Sequence, residues 1–259
     1  MALIERDDTQ GIARLTLNSP DNFNALSDAM IAELTGMLDG IAEDPNVRVV
    51  ILAATGKAFC AGHDIREMQA ARADGGGRAR FEALFAACSA MMMKIVALPQ
   101  PVIAEVQGIA TAAGCQLVAS CDLAIAAEGV RFGVNGINVG LYCSTPMVAL
   151  TRAVPPKIAF ELLTTGEFID AARAREIGLI NRVAAPDSLT AEATALAETI
   201  AAKHPDVVRL GKAAFRAQRS LPLADAYAQM STVICDNLMM ADTDEGMTAF
   251  LEKRPPNWT

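Results

Sequence analysis

Apolar and polar residues alternate over Ile12–Leu17, the period of a strand with one face in the core. Asn18-Ser19-Pro20-Asp21-Asn22 is turn chemistry. The period then lengthens. Met30, Ile31, Leu34, Leu38 and Ile41 share one face of a helix over Asp28–Glu43, with Ser27 placed to cap it. Asp44-Pro45-Asn46 ends that helix, and Val47–Ala53, apolar apart from Arg48, predicts a strand buried on both faces. Strand, helix and strand in this order form a β-α-β unit, which favours a right-handed crossover.

Thr55-Gly56-Lys57 turns the chain into Ala58–Met68. Gln69–Arg80 holds Gly75-Gly76-Gly77 among charges, which predicts a mobile segment suited to act as a flap. Phe81–Leu98 reads as a long Met- and Ala-rich helix closed by Pro99. Pro101–Asp122, PVIAEVQGIATAAGCQLVASCD, reads as a strand (Val102, Ile103, Val106), a break at Gln107-Gly108, a run of small residues from Ala110 to Gly114, and a helix over Cys115–Ser120. A short strand over Cys121–Ala126 follows, then Val130-Arg131-Phe132-Gly133 and a loop to Tyr142. Thr145 with Pro146 has the look of an N-cap followed by proline at the first helical position.

Beyond about residue 155 the pattern is helical throughout. The predicted helices are Lys157–Thr165, Asp170–Ile177 (capped by Asp170, stopped by Gly178), Ala191–Lys203, Pro205–Ser220, Pro222–Met240 and Asp244–Lys253. The expected organisation is an α/β core over residues 1–190 and a helical region over residues 191–259, with no low-complexity linker between them.

Composition narrows the partners. A net charge of −8 argues against nucleic acid. Met91–Leu98, the most apolar run, is too short to span a membrane and contains Lys94. With two histidines and no Cys/His cluster, no metal site is expected. Cys60, Cys88, Cys115, Cys121, Cys143 and Cys235 contain no CxxC pair and read as reduced thiols. Met1–Gln10 has neither a signal-peptide nor a transit-peptide pattern, so the expected location is cytoplasmic.

Two stretches carry candidate chemistry. Gly62-His63-Asp64 follows a buried strand and opens a helix, and Ala112-Ala113-Gly114 does the same. Backbone N–H groups at a helix start lack intrahelical partners, and the dipole is positive there. Two such donors converging on one carbonyl oxygen would stabilise a developing anion. Close packing of a helix on a sheet through small residues is the other reading.

At these residues the sequence resembles the crotonase superfamily, also called the enoyl-CoA hydratase/isomerase family. Ala13–Ser27 resembles the family's opening strand and turn. Lys57–Met68, KAFCAGHDIREM, is similar to its first motif, Pro101–Asp122 to its second, and Gly246–Trp258 to its C-terminal helix. The ASCD, NVGL and CST segments resemble the enoyl-CoA hydratase domain-containing branch, which lacks the two catalytic glutamates. The resemblance implies an α/β spiral of β-β-α turns with a C-terminal helical oligomerisation region, assembled as a trimer or a dimer of trimers. It implies an acyl-CoA thioester substrate and no cofactor beyond the coenzyme A of that substrate. The thioester carbonyl would lie between the backbone amides of His63 and Ala113. Contacts to coenzyme A map onto Ala58, Ala61, Asp64, Ile65 and Arg66, with Lys253 contributed by a neighbouring subunit.

The departures lie at the proton-transfer positions. The family's first glutamate falls three residues after the second oxyanion donor, which is Gln116 here. The second falls at Gly136, and a further acid used by dienoyl-CoA isomerases falls at Ser144. None of these accepts a proton usefully, and a general acid or base typically contributes about 10²–10⁴ in rate. Asn135, Asn138, Tyr142, Cys143 and Ser144 lie on the loop that lines the family's acyl pocket. Of these, Tyr142 or Cys143 would serve as a proton carrier only with a lowered pKa; packing of Cys143 and capping by Ser144-Thr145 are the structural alternative. Asp122 reads as a structural carboxylate and His204 as a helix-junction residue. The expected activity is of lyase or isomerase type on acyl-CoA, with classical hydration weak or absent. The alternatives are thioester hydrolysis, decarboxylation, isomerisation, or acyl-CoA binding without catalysis.

Overall fold

A computed structural model describes residues 2–73 and 77–258. Among these residues the strands are β1 (Ile4–Thr9), β2 (Ile12–Leu17), β3 (Val49–Ala54), β4 (Ala58–Cys60), β5 (Val102–Val106), β6 (Ile109–Thr111), β7 (Leu123–Ala127), β8 (Arg131–Gly133), β9 (Ile169–Asp170) and β10 (Arg182–Ala184). The α-helices are α1 (Asp28–Ala42), α2 (Ile65–Ala73), α3 (Gly77–Ala97), α4 (Ala113–Ser120), α5 (Ser144–Ala153), α6 (Pro156–Thr165), α7 (Ala171–Glu176), α8 (Leu189–Ala201), α9 (Pro205–Gln218), α10 (Leu223–Leu238) and α11 (Ala241–Glu252).

The strands form two sheets. One has the order β1-β2-β3-β5-β7-β10, parallel except for the β1–β2 hairpin. The other has the order β4-β6-β8-β9, with β9 antiparallel. Each of β3, β5 and β7 in the first sheet is followed by β4, β6 or β8 in the second. The chain therefore winds through both sheets three times, with helices closing the turns. β3 and β5 are buried almost throughout, as parallel strands covered on both faces must be.

The core is built from the positions the periodicity marked. Met30, Ile31, Leu34, Leu38 and Ile41 of α1 are buried with Leu15 and Leu17 of β2 and Val50 and Leu52 of β3. Ser27 caps α1 by accepting from the Met30 amide, and Asp170 caps α7 by accepting from Arg173. Asp122 accepts from the Val102 amide at 2.8 Å and so joins the ends of β5 and β7, the structural role expected of it.

Several expectations are corrected. β1 was not anticipated because Ile4 is its one buried residue; backbone pairing to β2, through a turn with Gln10 at φ 51° and Gly11 at φ 80°, makes it a strand. Residues beyond 155 are not helical throughout. β10 extends the large sheet beside β7, and β9 closes the small one. Thr145 is not an N-cap: α5 begins at Ser144, with Cys143 at the cap position and no side-chain cap bond. Of the segment expected to be mobile, residues 69–73 and 77–80 are helical, and 74–76 lie outside the described residues.

The chain divides into two compact units, one through Glu198 and one from Thr199. In the second, His204 ends the turn before α9, its Nε2 lies 2.7 Å from Asp242, and Trp258 packs edge-on against its ring. Leu223, Tyr227, Met239, Phe250 and Leu251 of this unit are exposed in the single chain.

One charged side chain lies deep in the first unit. Glu105, 6% exposed in β5, accepts from Arg14 of β2 at 2.7 Å and from the Thr190 hydroxyl of α8 at 2.7 Å; Arg14 also donates to Thr194. Removing one partner of such a pair strands the other charge. Glu105→Ala is expected to lower the unfolding free energy by about 3 kcal/mol in denaturant titration. A loss below about 1 kcal/mol would show that the pair does not hold these elements together.

Candidate active site

The two loop-to-helix junctions meet through three glycines. A Cβ on Gly108 would lie 2.3 Å from the Lys57 carbonyl oxygen, and one on Gly114 would lie 2.0 Å from that of Cys60. No side chain fits at either point, so the β5–β6–α4 turn rests directly on the backbone of β4. Gly62, at φ +90°, completes the contact: its Cβ would fall 2.9 Å from the Ala112 Cβ and 3.2 Å from the Ala113 nitrogen. The amides of His63 and Ala113 thus belong to adjoining backbone segments, and neither donates a hydrogen bond among the described residues.

The first junction is clamped from the N-terminal turn. Leu26 N–H donates to the Gly62 carbonyl and Ala61 N–H to that of Phe23. Asn24, fully buried, donates to the carbonyls of Thr55 and Ala58 and accepts from the Ser19 amide. The second junction is held at Ala112, whose amide donates to Gly133 and whose φ 50°, ψ −118° is strained for a residue with a side chain. Sequence reading missed Asn24. Its position in a turn-forming Asn-Phe-Asn run was the available signal.

The His63 ring meets Phe85 of α3 edge-on at 5.1 Å between centroids, and its Nε2 is buried with no partner among the described residues. Burial pulls its pKa down to about 4, so the ring is neutral near pH 7. Asp64 accepts from the Arg66 and Glu67 amides at the start of α2 and from the Asn22 side chain. Burial works to raise its pKa, but these bonds together outweigh it and hold the carboxyl below its ordinary value. Ala58 is buried in β4, Ala61 is half-buried, and Ile65 and Arg66 are exposed on α2.

Gln116 lies one turn along α4 from Ala113, on the same helix face. It is 5% exposed, and its Oε1 is buried without a partner among the described residues. Gly136 is closed to any side chain: a Cβ there would lie 2.5 Å from the Leu141 carbonyl oxygen and 2.9 Å from the Cys143 sulfur. The loop is held in this form by the Leu141 amide donating to the Gly136 carbonyl. Asn135 accepts from the Thr111 hydroxyl, which ties this loop to β6. Asn138 donates to the Gly166 carbonyl. Tyr142 and Ser144 are exposed. Burial raises the Cys143 pKa against the pull of the Gly136 amide, the reverse of what a thiolate proton carrier requires. Cys115 is pushed up to about 12 by burial and by nearby Cys143. Within the first unit, His63, Ala113, Gln116, Asn135 and the Gly136–Cys143 loop therefore belong to adjoining segments. Lys253 ends α11 in the second unit, exposed and left-handed at φ 56°.

Two outcomes follow. Gly136→Ala is expected to cost about 1–3 kcal/mol of stability through overpacking, and Gly136→Glu to unfold or reshape the loop without creating hydratase activity; a Gly136→Glu variant with wild-type stability and new hydration would refute the steric account. For His63, the folded pKa of about 4 lies below the ordinary 6.5, so the unfolded chain binds the proton first on acidification. Its contribution is complete above pH 6.5 and is lost as the pH falls towards 4, to a total of roughly 3 kcal/mol. Denaturant titrations at pH 7 and pH 4 are expected to show a smaller acid loss in His63→Leu than in wild type.

The family profile described as enoyl-CoA hydratase/isomerase matches residues 7–259. A Xenopus laevis protein named enoyl-CoA hydratase domain-containing protein 3, mitochondrial, is 46% identical over 249 residues, covering 96% of this chain and 83% of its own length. A crystal structure of enoyl-CoA hydratase from Mycobacterium smegmatis superposes with a TM-score of 0.96 at 52% identity, covering 99% of this chain and 98% of that one. The structure of human enoyl-CoA hydratase domain-containing protein 3 gives 0.95 at 43% identity, covering 99% and 100%. These relatives also correct the expected cytoplasmic location: the frog, rat and human proteins are each named mitochondrial. Free cysteines, five of them buried and Cys235 exposed, do not single out one compartment. The fold is the crotonase fold, and the chain belongs to the enoyl-CoA hydratase/isomerase family.

Proposed function

We propose that this protein binds an acyl-CoA thioester and stabilises negative charge on its carbonyl oxygen through the backbone amides of His63 and Ala113. The observation that carries the reading is the contact between the two helix-opening junctions, where Gly62 adjoins the Ala113 nitrogen and both amides are without partners among the described residues. Donors fixed in advance at a developing oxyanion are worth roughly 10²–10³ in rate each. Ala58, Ala61, Ile65 and Arg66 border the first junction and are the proposed contacts to coenzyme A, with Lys253 reaching from a neighbouring subunit. Asp64 serves that surface by capping α2. The exposed apolar residues of the C-terminal helices support assembly into a trimer or a dimer of trimers.

Hydration by paired carboxylates is not part of the proposal. Gln116 does not titrate, and Gly136 has no room for an acid. Crotonyl-CoA is therefore expected to bind without measurable hydration. On binding, its conjugated thioester absorbance is expected to shift to longer wavelength as the carbonyl is polarised. Rapid wild-type hydration would refute the account of the proton-transfer positions. Binding with an unshifted absorbance would favour a carrier that does not polarise its ligand.

A further inference from the structure

We propose that the acyl group this protein takes ends in a carboxylate, and that the Arg72 guanidinium holds that carboxylate at the far end of a groove along α3. This rests on the reading of the His63 and Ala113 amides as the place of the thioester carbonyl.

The groove lies within the first unit and has a volume of about 820 Å³. One face of α3 lines it: Arg78, Phe81, Glu82, Phe85, Ala86 and Ser89 recur at the three- and four-residue spacing of a single helix face. Arg72, near the end of α2, and Gly77 complete the lining. The groove starts at the proposed oxyanion site, because the Phe85 ring that lines it also meets the His63 ring edge-on, 5.1 Å between centroids. The α2 helix leaves the same site directly after His63 and Asp64. Arg72 lies about two turns beyond Ile65, roughly 10 Å along the helix axis. A chain that passes Phe85 therefore crosses half-buried phenylalanine before it meets a charge.

Charge selects the end of that chain. Arg78 donates to Glu82 at 2.9 Å, so these two charges of the lining offset each other. Arg80, close by in sequence, pairs with Asp28 of α1. Arg72 makes no hydrogen bond or ion pair among the described residues, and it is the cation of the lining that stays unengaged. The whole chain carries a net charge of −8, so an anion is held here only by a local cation. A guanidinium presents paired N–H groups that match a carboxylate with two parallel hydrogen bonds. An exposed pair of this kind contributes little by itself. An acyl chain laid over Phe81 and Phe85 changes that, since it covers the aromatic faces and keeps water from one side of the pair. A plain alkyl chain covers the same rings and leaves the guanidinium to water, so the terminal carboxylate is what separates the two ligand classes.

The test is calorimetric binding of the full-length protein to matched thioesters, adipyl-CoA against hexanoyl-CoA and suberyl-CoA against octanoyl-CoA. In at least one of these pairs the thioester with the terminal carboxylate is expected to bind about 10-fold more tightly, with the advantage shrinking at high salt. No advantage in either pair would overturn the proposal and leave the oxyanion reading standing. Failure of all these thioesters to bind would remove that reading as well. Arg72→Gln is expected to bring the ratio of affinities to about one, and Arg72→Glu to reverse it in favour of the alkyl chain. No residue of α2 is buried, so neither change disturbs the core. An advantage that survives in both variants would overturn the role of Arg72.

Discussion

The structure depends on the backbone of one β-β-α turn lying directly on the backbone of the turn before it. Gly108 and Gly114 rest on the carbonyls of Lys57 and Cys60, with no space for a methyl group at either. This contact lets β4 and β6 pair in parallel and lets the small sheet grow through β8 and β9. It also sets the start of α4 beside the start of α2, so the site is a consequence of how the spiral is wound. Interiors packed this closely transmit any added volume to their neighbours.

Around that contact the protein accepts local strain and unpaired polar groups. Ala112 holds a positive φ where glycine would be relaxed, and its peptide leads into the Ala113 amide. Gln116 Oε1 and His63 Nε2 are buried without partners among the described residues. Most buried polar atoms in folded proteins are paired, and these two unpaired atoms lie beside the two unengaged amides of the proposed oxyanion site.

The site's charge state separates it from a carboxylate dyad. Burial keeps the His63 ring neutral and raises the thiols of Cys115 and Cys143. The loop from Gly136 to Cys143 closes the space an acid would occupy. In the proposed reading, chemistry here relies on fixed dipoles acting on a charge that the substrate itself develops.

Much of this was legible in the sequence. The α1 face from Met30 to Ile41, the caps at Ser27 and Asp170 and the buried run of β3 follow from periodicity and short-range hydrogen bonding, which one segment carries by itself. The motifs around His63 and Ala113 and the absence of glutamates at positions 116 and 136 were visible there as well. Other features were decided by partners far along the chain. β1 and β10 are strands because a neighbouring edge pairs with them, not because their own residues alternate. Asn24 became structural only when Thr55 and Ala58 came within its reach. At Gly136, the sequence determined only that no acid is present. The tertiary structure decided that none can be added, because Leu141 and Cys143 fold back onto that glycine and two atoms cannot share the space.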